Sequence, residues 1–424
     1  MKKLSIKIFV FVYLSLFSSF AVAASMQGSG TISSDTTVSA FAPLPQRTET
    51  ALEIFASGHG YVKQSAQGTQ SDDTTDFIVG GQSLKLVSDG AGSAVFTRSP
   101  VLSPVWDLSG DQVVIKLRIN DVSLITELWL FATSDSFTSA WYTWKLNTIG
   151  LTNYAVDSEW FVVTLNISDA IITGTPNRAA IDKIQLRIKD DSTVPVTVNF
   201  NYIGTMPEPT AGMVTFAFDD GWASQYTEAK KKLSEYGFPA IGYPISGLVD
   251  TSGYMTMDQI RELQDIHGWD IGVHHQTNFT TVSLGEAENL IKQEKRWHLN
   301  NGFNRGSDHF AIPNGAFNLN LLKLFRRYFR TARTIGTTAE TFPPADWNRL
   351  RILNVIDTTT TASIAAAVDN ARTNKYWLIL LFHKIVASPT VSTEYSILNF
   401  GIVVDDIAID GIKVKSMTQA IIDG

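Results

Sequence analysis

Four short stretches carry residue types that can do chemistry. Phe218-Asp219-Asp220-Gly221 sets two carboxylates side by side after the apolar run Met213-Val214-Thr215-Phe216-Ala217. Adjacent carboxylates repel each other and lose hydration on burial, and a cation relieves that cost. One of the pair could hold a metal while the other moves a proton. The same residues also suit an ordinary strand-to-helix turn, where Asp-Gly is common. His274-His275-Gln276-Thr277-Asn278 follows a second apolar run, Trp269 to Val273. Imidazole is the commonest metal ligand and Asn offers a carbonyl oxygen, although two solvated histidines in a polar loop look the same. Pro313-Asn314-Gly315 closes a third run, Phe310 to Ile312, as a turn. His383 ends the fourth, Trp377 to Phe382, as either a hydrogen-bonded rim residue or a general acid.

These residues need a frame that brings strand ends together. From Met213 onward apolar strands alternate with helical segments. Strands are expected at Met213–Phe218, Ala240–Ile245, Trp269–Val273, His309–Ile312, Thr331–Ile335, Arg351–Val355, Tyr376–Phe382 and Ile412–Val414. Helices are expected at Trp222–Tyr236, Met257–Ile266, Leu284–Asn300, Leu319–Arg330 and Ser396–Ile409, with Asn318 as an N-cap. This alternation reads as a parallel α/β barrel or sheet, in which active residues sit at the C-terminal ends of strands.

The N-terminal half differs. Between residues 48 and 206 short runs such as Val113–Ile119, Leu128–Phe131, Trp160–Leu165 and Val196–Phe200 are punctuated by turn residues. They predict an antiparallel β-sandwich, jelly-roll-like, as a possible carbohydrate-binding module. Its aromatics, including Trp106, Trp129, Trp141, Trp144, Trp160 and Phe161, suit a core about twice as well as a binding face. Residues 207–211, around Pro207-Glu208-Pro209, read as the linker to a catalytic domain over 212–424.

The first residues read as a secretory signal over 1–23. Lys2, Lys3 and Lys7 precede an apolar run from Ile8 to Val22, and Ala21-Val22-Ala23 offers a cleavage pattern. Residues 24–47 read as a flexible lead-in. The expected protein is exported, periplasmic or extracellular. No later stretch approaches the roughly 20 apolar residues of a membrane span. The chain has 424 residues, 44% hydrophobic and 18% charged, and a net charge of -7 with no basic run, so nucleic acid is not an expected partner. With no cysteine, thiolate zinc sites and cysteine nucleophiles are excluded.

Taken together, the four motifs in this order resemble the polysaccharide deacetylase family (the NodB-homology domain, carbohydrate esterase family 4) over 212–424. Phe310-Ala311-Ile312-Pro313-Asn314-Gly315 looks like the poly-N-acetylglucosamine deacetylase branch. The resemblance implies a distorted parallel (β/α) barrel and a divalent metal, zinc first, with cobalt or nickel as alternatives. It implies Asp219 as catalytic base, Asp220, His274 and Asn278 as metal ligands, and His383 as general acid. It also implies an acetyl pocket at Pro313, Asn314, Gly315 and Leu381. Two positions depart from the family pattern. Asn278 stands where the family has a second histidine, leaving His275 as a substitute ligand. Ala311 stands where the family has an arginine that pairs with the base. The implied substrate is an acetylated poly- or oligosaccharide, with N-deacetylation of N-acetylglucosamine units favoured. An O-acetyl ester hydrolase on xylan or a similar glycan, and a non-catalytic sugar-binding relative, are the alternatives.

Overall fold

The computed structural model describes residues 43–423. The expected signal peptide, and the lead-in up to residue 42, lie outside the described residues.

Between Thr50 and Pro207 the chain builds two antiparallel sheets. One runs in the order Thr69–Asp73, Ser83–Val87, Thr197–Pro207, Asp111–Ile119, Trp160–Leu165, with Thr50–Glu53 also on Thr197–Pro207. The other runs Ile171–Thr173, Trp141–Lys145, Ile125–Thr133, Lys183–Asp190, Val95–Arg98, Val62–Lys63. Alternation decides which side chains turn inward. In Ile125–Thr133, Leu128, Leu130 and Ala132 join a core shared with Leu86 and Leu117 of the other sheet. The aromatics divide: Trp106, Trp144 and Phe161 lie in that core, whereas Trp129, Trp141 and Trp160 do not.

From Met213 onward the strands pair in parallel. Their order is Asp270–Ile271, Ala240–Pro244, Met213–Asp220, Trp377–Phe382, Leu350–Asn354, Thr331–Thr337, His309–Ala311. The two ends of this sheet meet. The Val273 N–H donates to the His309 carbonyl at 2.8 Å, and the Ala311 N–H donates to the Val273 carbonyl at 2.9 Å. The sheet therefore curls round on itself. Val214, Phe216 and Phe218 pack outward against helical residues such as Leu233, Ile260 and Val404, while Ala217 turns inward with Tyr243 and Leu381.

Helices Leu284–Asn300 and Leu319–Tyr328 form where expected, capped by Ser283 and Asn318. The second stops two residues early because Phe329 is extended. Two expectations fail. Trp222 is not helical but bridges Tyr254, and the helix that follows it contains a π-helical turn, Gln225–Lys230. A helix at Thr361–Asn374 was not expected, since its apolar stripe is thin: only Ile364, Val368 and Ala371 are buried.

The antiparallel and parallel regions are tied by hydrogen bonds. Arg47, at the end of the expected flexible lead-in, donates to the carbonyls of Pro343 and Pro344, both at 3.0 Å. Asn166 donates to the Asn374 carbonyl at 2.8 Å, and buried Arg349 to the Tyr154 carbonyl at 2.8 Å.

Candidate active site

The strand Met213–Asp220 sets Asp219 and Asp220 in different places. Continuing the alternation from Ala217, Asp219 points inward and is 4% exposed. Asp220 then leaves the strand at φ 70°, a left-handed conformation that costs a non-glycine residue energy. Gly221 continues the turn, and a Cβ there would lie 2.9 Å from the Pro244 side chain. The Trp222 indole N–H donates to Asp220 Oδ2 at 3.1 Å.

His274 follows the end of Asp270–Ile271, two strands round from Met213–Asp220, and is buried. Its Nδ1 donates to the Ala311 carbonyl at 2.8 Å, which leaves the Nε2 lone pair facing the carboxylates. Nε2 lies 3.5 Å from Asp220 Oδ1 and 4.0 Å from Asp219 Oδ2. His383 leaves the end of Trp377–Phe382, and its Nε2 lies 3.7 Å from the same Asp219 oxygen. Gln225, fully buried, donates to the main-chain carbonyls of both Asp219 and His383 and so ties the two strand ends together.

The fourth group at Asp219 Oδ2 is Arg333, 2% exposed, which pairs with it directly. Arg333 sits in register with Ala311 on the adjacent strand. The guanidinium that the motif at Ala311 lacks is thus supplied from one strand further round. Asp219 Oδ1 and His383 Nδ1 are buried and have no hydrogen-bond partner among the described residues.

The charges explain the protonation preferences. Burial would push the His274 imidazole down, but Asp219 and the contact with Asp220 outweigh it, and its pKa is raised. Burial would raise the Asp220 carboxyl, but His274, His383 and the Trp222 N–H outweigh it, and its pKa is lowered. The His275 imidazole is pushed down by burial and by neighbouring His274.

Residues 207–330 match the family model described as polysaccharide deacetylase. Over this segment the chain is similar to the polysaccharide deacetylase family. Arg333 and His383 lie beyond the matched span. A protein of Bacillus subtilis (strain 168) that carries a polysaccharide deacetylase name, YxkH, is 25% identical over 140 residues. That alignment covers 31% of this chain and 47% of YxkH, so the chain spans about half the length of this relative. Among solved structures, the Xyl-CE4 domain of a multidomain xylanase from the hindgut metagenome of Trinervitermes trinervoides is 14% identical. The match covers 50% of this chain and 91% of that one, with a TM-score of 0.37. A family 4 carbohydrate esterase from Streptomyces lividans, solved with acetate, is 17% identical, covering 48% and 91%, with a TM-score of 0.33.

The structure brings Asp219, Asp220, His274 and His383 of the deacetylase motifs together. Others have different surroundings. Asn278 Oδ1 accepts from the Thr280 N–H at 3.0 Å and the Thr280 hydroxyl at 2.8 Å, capping a short helix. His275 Nδ1 accepts from the Thr277 N–H at 2.9 Å and makes no ion pair with either aspartate. Among the described residues no group of three or more His, Asp or Glu is placed to hold a metal. Asp220 and His274, with facing lone pairs, fit two ligand positions of a divalent ion. For Asn278 to be a further ligand its oxygen would be drawn from the Thr280 cap. Pro313–Gly315 forms the expected turn, with Asn314 at φ 57°, but the Gly315 N–H is spent on the Ile312 carbonyl at 2.9 Å. Leu381 is 1% exposed in the core beside Ala217 and Tyr243, so it lies beneath the site rather than on an open wall. Sequence reasoning missed Arg333, Gln225 and Trp222. Only Arg333 left a trace, as a charge inside the strand run Thr331-Ala332-Arg333-Thr334-Ile335.

Proposed function

We propose that this chain hydrolytically deacetylates an acetylated poly- or oligosaccharide, with the amide of N-acetylglucosamine units as the favoured bond. The observation that carries this reading is Asp219, a buried carboxylate with one oxygen shared by Arg333, His274 and His383 and the other unpartnered. A divalent ion, zinc by preference, held by Asp220 and His274 with water and Asn278 as further ligands, would supply Lewis acidity toward water and the acetyl carbonyl. Asp219 accepts the proton of the attacking water through its unpartnered oxygen. Arg333 fixes the orientation of that carboxylate. His383 gives a proton to the departing amine, or to the alkoxide if the bond is an ester. Export through a cleaved signal peptide, to the periplasm or beyond, accompanies this reading.

The capped Asn278 favours a second reading, a sugar-binding relative without turnover, because it weakens the metal site. One assay separates the two: acetate release from N-acetylglucosamine oligomers with and without a chelator. Release that stops on chelation and returns with zinc supports the enzyme. Absence of release from these oligomers and from acetylated xylan supports the binding protein.

A further inference from the structure

The outer face of the sheet built on Ile125–Thr133 carries a cluster of cations. Strand register fixes it. Trp129 lies opposite Lys145 on one neighbouring strand and Arg187 on the other. One step along the strand, Phe131 lies opposite Gln185, which lies opposite Arg98. One step further, Thr133 lies opposite Lys183 and Trp141. Since alternate residues share a face, these side chains stand on the side away from Leu128, Leu130 and Ala132.

Of Arg98, Lys145, Lys183 and Arg187 on this face, only Arg187 pairs with a carboxylate among the described residues. The Arg187 guanidinium and the Lys145 ammonium each lie 4.8 Å from the Trp129 ring centroid. Arg98 lies 4.6 Å from the Phe137 centroid, and its Nε donates to Gln185 Oε1 at 2.8 Å. Glu127 is the one carboxylate on these strands that pairs with the cluster, at 2.7 Å from Arg187. Among the described residues Arg98, Lys145 and Lys183 have no carboxylate within 4.0 Å. The acids at the rim are committed elsewhere: Asp182 accepts from Ser136, and Asp135 from Ser139 and Ala140. In a chain with 41 acidic and 34 basic residues, such a cluster invites an anion.

The form of the cluster narrows the ligand. Single-stranded nucleic acids stack their bases on open aromatic faces. Here Arg187 and Lys145 lie over the Trp129 ring, so the face offers cations and ring edges rather than a stacking platform. A chain with carboxylates at intervals and hydroxyls between them fits better. Carboxylates would meet the partly exposed Arg98, Lys145 and Lys183. We propose that this face binds an acidic, carboxylate-bearing polysaccharide, at a site separate from the one around Asp219. The choice of a glycan over other polyanions rests on the deacetylase reading.

The test uses affinity electrophoresis of the full chain through gels containing polygalacturonate, N-acetylglucosamine oligomers as a neutral control, or single-stranded DNA. The double variant Lys145→Gln/Lys183→Gln removes two unpaired cations, and Lys85→Gln on the other sheet is the control. Unchanged melting temperatures confirm folding. The proposal expects polygalacturonate to retard the wild type and the control, with retardation weakened about fivefold in the double variant and by added salt. It expects acetate release from soluble oligomers to be the same in all three proteins, so failure of this site and failure of the deacetylase reading are scored apart. Equal retardation of wild type and double variant overturns the proposal. So does no retardation by polygalacturonate, or stronger retardation by DNA or binding to phosphatidylglycerol vesicles in preference to polygalacturonate.

Discussion

Two buried arginine–carboxylate pairs on adjacent strands of the barrel end up doing different things. Arg351 and Glu340 saturate one another. Nε and Nη2 of Arg351 reach the two Glu340 oxygens at 3.0 and 3.1 Å, its main-chain N–H adds a bond of 2.7 Å, and Nη1 donates to Thr338 at 2.9 Å. Arg333 and Asp219 are as deeply buried, but Asp219 keeps an unpartnered oxygen and has two imidazoles within 4.0 Å. Neither side chain of the first pair has a buried polar atom without a partner. Asp219 and Arg333 each have one. Burial and charge are common to both, so they do not mark a site by themselves. The unpartnered oxygen of Asp219 together with the two imidazoles beside it does.

Substitutions should separate the two pairs by what they damage. Asp219→Asn keeps the shape and removes the proton acceptor, so acetate release per folded molecule should fall about 10³-fold or more, and the melting temperature should fall as well because buried Arg333 loses its counter-charge. Glu340→Ala should damage stability alone. It leaves the Arg351 charge buried and unpaired at a cost of about 3–5 kcal/mol, read by denaturant unfolding, while activity per folded molecule stays near wild type. Trp222→Phe keeps the ring that stacks on Tyr254, at 4.5 Å between centroids, and removes the N–H that holds Asp220. Zinc affinity by competition with a chromophoric chelator should weaken about tenfold. The smallest effect is a slope with pH. In metal-free protein the raised His274 pKa means its contribution to stability is present at low pH and is lost as pH rises through that value. Zinc must displace the same proton, so its affinity should run the other way, falling about tenfold per pH unit below the His274 pKa and levelling above it.

The sequence made much of this barrel legible because Asp219 and His383 each end an apolar run of strand length, and His274 follows a shorter mixed one. The helix Leu284–Asn300 was legible from its period and its Ser283 cap. Arg333 was not, because its partner is 114 positions away and only the register of two strands aligns it with Ala311. Nor was the role of Asn278. Asn followed by Phe-Thr-Thr suits a helix cap as well as a ligand, and the local hydrogen bonds to Thr280 settle where its oxygen points. In the antiparallel half the alternation predicted strands but not their order, since pairing there joins segments as distant as Ser83–Val87 and Thr197–Pro207.

The central claim is that Arg333 acts on the reaction through Asp219. The direct test is a double-mutant cycle of Arg333→Lys and Asp219→Asn, read as acetate release from N-acetylglucosamine oligomers with zinc present. Arg333→Lys alone should cost about 10²-fold, the scale expected for a misplaced reacting group. The account predicts that the double variant is no slower than Asp219→Asn alone, because the arginine then has no base to orient. Losses that multiply, to about 10⁵-fold, would show that Arg333 acts independently of Asp219 and contradict it.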